Sequence, residues 1–366
     1  MEITATCLLF GFVCLQIALV ISLVNIDLNK HRFYTKEPLP FVSILIPARN
    51  EAANIIACLK SIDKINYPVD RYEVLIGNDQ STDETAQLVE TFIADKPNFK
   101  LINIHKNIGK ARAKANVLAH LVHQSQSEII FVTDADIIVK PSWIKGLLPH
   151  FKNEKVGIVS GSTVVQSKTW FGQLQGIDWL YFSGLLIAFD NLGLKSTAVG
   201  NNMAFTKQAY MATGGYENFD FSVTEDFKLF TQIRSKGFES INVMEANSLN
   251  ISKPQPQLIP FLHQRKRWLI GAKELPFIWQ AIFGLLASFY PLLIVLFLFN
   301  IKNALTLWVC KLALQTMLIL FLSYRVKYKL HWKGFISFEL YSIINTFSTM
   351  VFFVLPVKMI WKQRTY

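Results

Sequence analysis

"FVTDADIIV", residues 131–139, carries two carboxylates, Asp134 and Asp136, through an otherwise apolar run. Residues 128–133 (EIIFVT) read as a strand, so the aspartates stand where that strand leaves its sheet, not inside it. If the backbone stays extended, both side chains point the same way. Two carboxylates this close repel each other unless a cation lies between or above them. A divalent metal on a diphosphate meets that need. Mg²⁺ and Mn²⁺ prefer hard oxygen ligands and often bind through one or two carboxylates plus phosphate oxygens. D-x-D alone is common in solvated loops, so the flanking chain has to decide its meaning.

Upstream, short apolar strands alternate with helices. Residues 41–46 (FVSILI) form a strand that runs into the polar turn Pro47-Ala48-Arg49-Asn50-Glu51, and residues 51–63 have helical spacing. Residues 72–77 (YEVLIG) form a second strand, ending in Asn78-Asp79-Gln80-Ser81. Residues 82–94 are helical, with Ser81 or Thr82 as the expected cap. Residues 100–104 and the segment 109–124 read as a third strand and helix. This alternation predicts an α/β fold, a doubly wound and mainly parallel sheet with helices on both faces. Ligands bind such sheets beyond the carboxyl ends of the strands. Every polar cluster named so far falls at one of those ends.

The clusters "IPARNE" (46–51), "GNDQSTDET" (77–85), "NIGKARAKAN" (107–116), "TDAD" (133–136), "VGNNMAF" (199–205), "TED" (224–226) and "QRKRW" (264–268) follow in one order. That series resembles the membrane-bound branch of family 2 glycosyltransferases with a GT-A fold. The branch includes cellulose, hyaluronan and poly-N-acetylglucosamine synthases and ceramide glucosyltransferase. The resemblance covers residues 40–275 and implies roles for individual residues. Pro47, Arg49 and Glu51 would line the nucleotide pocket, and Asp79 would hold the base. Lys110 would lie near the nucleotide or its phosphate. Asp134 would contact the nucleoside and Asp136 the metal, Mg²⁺ or Mn²⁺. Arg267, with Arg265 beside it, would face the diphosphate. Asp226 would be the catalytic base. Glu225, Gln264, Trp268 and Asn202 would serve the acceptor side. The family's Asp-Asp-Gly-Ser stands here as Asn78-Asp79-Gln80-Ser81, one acidic group fewer.

Each motif also has a plainer reading. Thr224, Glu225 and Asp226 suit the cap and first turn of the helix that follows. Gln264 to Trp268 suits an interfacial anchor before a spanning helix. "VGNNMAF" suits a turn. Residues 168–190 fit either a buried core helix or an amphipathic helix at the headgroups, with Trp170, Phe171, Trp179 and Tyr181 at the interface.

Outside this region the chain changes character. Of its 366 residues, 51% are hydrophobic, concentrated in runs at 3–24, 277–299, 303–323 and 334–357. Each run is long enough to span a bilayer. Lys311 and Glu339 interrupt the last two. Lys311 would face a pathway, snorkel to the interface or be buried between helices. The first run has no positively charged start and no small-residue cleavage site, so it reads as a retained anchor rather than a signal peptide. The expected organisation is an anchor over 1–26 and a cytoplasmic GT-A domain over 38–256. An interfacial helix over 257–275 and about three spanning helices over 276–358 follow.

The net charge of +11 comes from 37 basic and 26 acidic residues. The basic residues gather beside the apolar runs: Lys30, His31, Arg32 and Lys36; Arg265 to Lys273; Arg325, Lys327, Lys329 and Lys333. This distribution points to membrane lipids, not nucleic acid, and places the soluble part on the cytoplasmic side of a plasma or inner membrane. Four spans would leave Lys358, Lys362 and Arg364 on the far side, against that rule. The four cysteines have no metal or disulfide spacing.

The resemblance therefore implies an inverting, metal-dependent glycosyltransferase that takes a nucleotide sugar, expected to be a UDP-sugar, and passes the sugar to a lipid or glycan acceptor. Partner subunits are left open. A processive polysaccharide synthase is the competing expectation. A sugar-nucleotide pyrophosphorylase would need neither T-E-D nor Q-x-x-R-W, and an inactive scaffold would have no use for the acidic set.

Overall fold

The computed structural model describes residues 2–24, 39–195, 198–361 and 364–365. Lys30, His31, Arg32, Lys36 and Lys362, named above for their charge, lie outside the described residues. The chain divides into two units. One comprises Lys30–Val164 and Thr197–Lys253; the other comprises Met1–Asn29, Val165–Ser196 and Pro254–Tyr366.

The first unit is the α/β one. Its strands are β1 (Val42–Ala48), β2 (Tyr72–Asn78), β3 (Phe99–Asn103), β4 (Ile129–Val132), β5 (Val156–Gly161), β7 (Met203–Thr206) and β8 (Glu239–Val243). They form one sheet in the order β3-β2-β1-β4-β7-β5-β8. β1 runs parallel to both β2 and β4, whereas β7 lies antiparallel between β4 and β5. Two short strands, β6 (Thr163–Val165) and β9 (Asn250–Ser252), pair separately. The helices are α2 (Ile55–Ile62), α3 (Thr85–Ile93), α4 (Ala113–Gln124), α5 (Trp143–Leu147), α7 (Lys207–Ala212) and α8 (Glu225–Ser235).

Alternation along the central strand builds both faces. Val42, Ile44 and Ile46 pack with Ile55, Cys58, Leu59 and Ile62 of α2. Leu45 packs on the opposite side with Val117, Leu118 and Leu121 of α4. Both sets are fully buried, as a strand covered on two faces requires.

Register then gathers the site. Leu45 of β1 pairs with Val132 of β4 and with Leu75 of β2, and Met203 of β7 pairs with Val132. The segments after β1, β2 and β4 therefore leave the sheet at one edge. Because β7 is antiparallel, the segment before it arrives at that same edge.

The second unit is helical. It contains α1 (Glu2–Val24), α6 (Trp170–Asn191), α9 (Leu258–Ala272), α10 (Phe277–Phe299), α11 (Ile301–Arg325) and α12 (Trp332–Val354). Among the described residues, α1, α10, α11 and α12 are long and apolar enough to cross a membrane. Residues 168–190, left open between core and interface, form α6 and pack with α1, α11 and α12. A glycine makes one of these approaches: a Cβ on Gly184 would run into the Leu322 side chain of α11.

One polar cluster inside this unit is closely partnered. Lys311 Nζ donates to Glu339 Oε2 at 2.5 Å and to the Tyr290 hydroxyl at 2.7 Å. Trp308 Nε1 donates to Glu339 Oε1 at 2.8 Å, and Gln315 adds a bond to Oε2 at 3.2 Å. Of the readings for Lys311, burial between helices is the one observed.

Candidate active site

The loops after β1 and β2 are stitched together by side chains. Thr82 N donates to Asn50 Oδ1 at 2.8 Å, and Asn50 N donates to Ser81 Oγ at 3.1 Å. Ala52 N donates to Asp83 Oδ2 at 3.1 Å. These bonds correct the expected helix cap. Ser81 and Thr82 hold the neighbouring loop, and α3 starts later, after Glu84, with no side-chain cap. Asp83 also accepts from the Thr85 hydroxyl and backbone N. Burial opposes its charge, but these bonds more than compensate and hold its carboxyl below the ordinary value. Asn50 and Gln80 sit at φ 52° and 54°, a conformation asparagine tolerates better than most residues.

The residues expected at the nucleotide lie within this stitched pair. Arg49 Nη1 donates to the Asp79 carbonyl oxygen at 2.6 Å, and its guanidinium lies 3.9 Å from Asp79 Oδ2. Glu51 is buried; it accepts from Asn54 Nδ2 at 2.8 Å, and its backbone N donates to Thr85 Oγ1 at 2.8 Å. Pro47 pairs with Gly77 past the last residue of β1 that meets β4. A proline is tolerated at such a strand end, where no central ladder bond is required of it.

Past β4, burial alternates. Ala135, Ile137 and Val139 are buried, while Asp134, Asp136 and Ile138 are half-exposed. Both carboxylates thus face away from the core although Ile137 N closes a turn onto the Asp134 carbonyl oxygen at 3.1 Å. Cys58 Sγ donates to that same oxygen at 3.5 Å. Burial, then Asp136 and Asp134, push this thiol well above its ordinary pKa.

The cation beside Asp134 is Lys114, a residue for which sequence reasoning proposed no role. Its Nζ lies 2.7 Å from Asp134 Oδ1 and 2.9 Å from Glu225 Oε1. Burial works against its charge, but Asp134, Glu225 and Asp226 outweigh it and hold its pKa above the usual lysine value. Lys110, the lysine expected near the nucleotide, instead pairs with Asp220 at 2.9 Å, both side chains exposed.

Glu225 and Asp226 do open a helix, as the plainer reading had it, in the first turn of α8. They also face the cluster. Asp226 Oδ2 accepts from Gly200 N at 2.8 Å and Oδ1 from Phe227 N at 2.8 Å. Gly200 is what lets "VGNNMAF" come this close: a Cβ there would lie 2.6 Å from Asp226 Oδ2. Thr133 Oγ1 donates to the Asn201 carbonyl oxygen at 3.0 Å, which ties this segment to the end of β4.

Asn202 requires a correction. It is fully buried; its Oδ1 accepts from Trp143 Nε1 at 2.8 Å, and its Nδ2 donates to the carbonyls of Ser162 at 2.7 Å and Ser248 at 2.8 Å. An amide enclosed in this way cements three segments and cannot reach an acceptor.

Gln264, Arg267 and Trp268 lie on α9, in the helical unit. Gln264 is buried, and Arg267 is half-buried. Trp268 meets Trp179 edge-on at 5.5 Å and stacks on Phe182 at 6.5 Å, with the Arg265 guanidinium 4.5 Å from its ring. Arg265 pairs with Asp178 of α6, which also accepts from the Tyr341 hydroxyl at 3.1 Å. Lys266 donates to the Phe352 and Leu355 carbonyls, closing the end of α12.

The sheet order and the acidic groups at its edge define an α/β fold of the GT-A kind. A sequence model described as Glycosyl transferase family 21 matches residues 10–366, and the chain belongs to that family. Beta-monoglucosyldiacylglycerol synthase of Nostoc sp. is 28% identical over 272 residues, 71% of this chain and 55% of that protein. Poly-beta-1,6-N-acetyl-D-glucosamine synthase of Staphylococcus epidermidis is 25% identical over 252 residues, 68% of this chain and 57% of that protein. The chain thus spans little more than half the length of the curated relatives it matches. Among solved structures, mannosyltransferase PcManGT of Pyrobaculum calidifontis, in complex with GDP-Man and Mn²⁺, has a TM-score of 0.57 at 17% identity. The match covers 94% of this chain and 99% of that one, a likeness of fold.

Proposed function

We propose that this chain transfers a sugar from a nucleotide-sugar donor, a UDP-sugar, to the hydroxyl of a lipid acceptor, with inversion at the anomeric carbon. The observation that carries this reading is the meeting of Asp134, Glu225 and Lys114, with Asp226 in the same field, at the edge where β1, β2 and β4 end. Pro47, Arg49, Glu51 and Asp79 would form the nucleotide side. In the reaction the acceptor oxygen bonds to the anomeric carbon as the bond from that carbon to the diphosphate breaks. The electron pair leaves with the nucleoside diphosphate, and the acceptor proton passes to the Asp226 carboxylate. One attack opposite the leaving group needs no covalent intermediate and inverts the carbon.

A divalent metal suits the donor set. Asp134 and Asp136 offer hard oxygens on one exposed side, and the Lys114 ammonium occupies part of the Asp134 carboxylate. Among the described residues no group of three His, Cys, Asp or Glu is arranged to hold a metal. An ion on Asp136 would therefore draw its remaining ligands from phosphate and water, as Mg²⁺ and Mn²⁺ readily do. When bound, it would neutralise charge developing on the departing diphosphate.

The lipid acceptor is supported by the similarity to a monoglucosyldiacylglycerol synthase and by four apolar helices. The basic flanks at Lys273, Lys327, Lys329 and Lys333 support a cytoplasmic donor side. Similarity to a poly-N-acetylglucosamine synthase favours polymer synthesis as the second reading. The deciding experiment reconstitutes the protein in vesicles containing 1,2-diacylglycerol, with radiolabelled UDP-glucose or UDP-N-acetylglucosamine and Mg²⁺ or Mn²⁺. Label in the lipid extract, lost on chelation, is the expected outcome. Label retained as high-mass polymer contradicts the lipid reading, and transfer indifferent to chelator contradicts the metal. Calorimetry of UDP binding provides the metal arm without turnover: Asp136→Asn should remove its dependence on Mg²⁺.

A further inference from the structure

The segment that leads into α8 turns tightly before it reaches Glu225. Asn218 Nδ2 donates back to the Gly214 carbonyl oxygen at 2.8 Å, and Asn218 N donates to the Gly215 carbonyl oxygen at 3.2 Å. Glu217 stands inside this turn, its side chain largely buried. It joins three neighbours. Its Oε2 accepts from the Tyr210 hydroxyl of α7 at 2.8 Å, and its Oε1 lies 2.9 Å from His123 Nε2 near the end of α4. Its carbonyl oxygen accepts from Lys110 N, in the loop before α4, at 2.7 Å. Gly109 permits that last bond: it sits at φ 50°, and a Cβ there would run into the Glu217 carbonyl oxygen. The same loop is fixed on α4 by Asn116, which accepts from Ile108 N at 2.8 Å and donates to the Lys106 carbonyl oxygen at 3.0 Å.

This linkage ends at the candidate site. Lys114 is the second residue of α4 and Glu225 the first of α8, and the two meet at 2.9 Å. Tyr216 and Phe219, on either side of the turn, share an apolar core with Val117 and Leu118 of α4 and with Leu229 and Phe230 of α8. That packing holds the two helices together, but it is non-directional. The directional bonds to Glu217 fix the register at which they meet. A largely buried carboxylate is costly without partners, so an apolar residue would fill the turn better if filling were its whole task.

We propose that Glu217 is a positioning residue for the transfer: by docking the turn before α8 onto α4, it sets the meeting of Lys114 with Glu225, beside the Asp226 base. This rests on the proposed transfer and adds to it a residue that touches neither donor nor acceptor. Its effect is therefore on the rate of the bound complex and not on the affinity for either substrate.

Glu217→Leu removes both side-chain bonds and leaves the carbonyl oxygen in place. With radiolabelled UDP-glucose and 1,2-diacylglycerol in vesicles, kcat per UDP-binding site should fall about 10-fold, within what a misplacement of about 1 Å costs. Both KM values should stay unchanged. Glu217→Gln, whose amide can meet Tyr210 and His123 again, should keep most of the rate. His123→Leu, at an exposed position, should lower kcat roughly 3-fold, the scale of one exposed pair; it decides the matter if Glu217→Leu does not fold. In a Lys114→Met background neither leucine substitution should lower kcat further. An unchanged kcat in the folded variants overturns the proposal, even with a lower melting temperature, because Glu217 would then be structural only. A change confined to KM overturns it as well. So do losses that multiply with that of Lys114→Met, since Glu217 would then not act through Lys114. If the unaltered chain transfers nothing to any acceptor, the proposed function itself fails, an outcome these variants cannot imitate.

Discussion

Lys114 sits between two carboxylates that belong to distant parts of the chain, Asp134 after β4 and Glu225 at the start of α8. Its charge lets acidic groups crowd where a donor diphosphate would also bring negative charge. Because its folded pKa is raised, its contribution to stability is fully present below the unfolded lysine value, about pH 10, and is lost as pH rises through the folded value. Lys114→Met should therefore destabilise the protein by about 2 kcal/mol, between the cost of breaking an exposed pair and a buried one. Thermal melting should give a constant deficit from pH 6 to 9, and a deficit that varied over that range would contradict the ion-pair role. At this scale the motifs named the loops that meet at the sheet edge but not which of their side chains turn inward. Of the two lysines in "NIGKARAKAN", the backbone turns Lys110 outward to Asp220 and brings Lys114 inward, with Ala113 at φ 51° between them. Local spacing does not reveal such a turn. Nor does it separate Asn201 from Asn202, whose burial depends on Trp143, Ser162 and Ser248 far away in the chain.

Among the elements, the buried group shared by α10, α11 and α12 carries the clearest energetic consequence. Glu339 accepts from Lys311, Gln315 and Trp308 at once, so removing it takes an acceptor from three donors and leaves the Lys311 charge with only the Tyr290 hydroxyl. Glu339→Leu should cost about 3–5 kcal/mol in detergent unfolding. Adding Lys311→Met should recover most of that loss, because a lone buried cation is the costliest remnant. Failure of the second substitution to recover stability would contradict the pairing. The first four strands and first three helices of the α/β unit were legible because each repeats a simple period, and their bounds moved by only a few residues; β5, β7 and β8, which lie beyond the acidic turn, were not assigned. Helix α6 was harder to read. Its Gln175 and Asp178 look like interruptions in the sequence, yet Gln175 bonds the backbone of Gln255, and Asp178 pairs with Arg265. Polar residues matched so far along the chain cannot be told from solvent-facing ones by periodicity.

For the molecule as a whole, one chain holds a seven-stranded unit with an acidic edge and a separate helical unit with four apolar helices. The order of strands and apolar runs made this combination legible. The interleaving, in which residues 165–196 leave the α/β unit for the helical one, was not, because it depends on packing and not on composition. The central claim is that Asp226 receives the acceptor's proton. Asp226→Asn tests it most directly, since an amide can still accept from Gly200 N or from Phe227 N, though not both, and cannot take up a proton. Single-turnover transfer of label from UDP-sugar to 1,2-diacylglycerol should fall by roughly 10²- to 10⁴-fold, the usual contribution of a general base, while UDP binding measured by calorimetry should stay within about twofold, the result expected of a group that acts on the acceptor alone. Transfer by Asp226→Asn at the unaltered rate would contradict the claim.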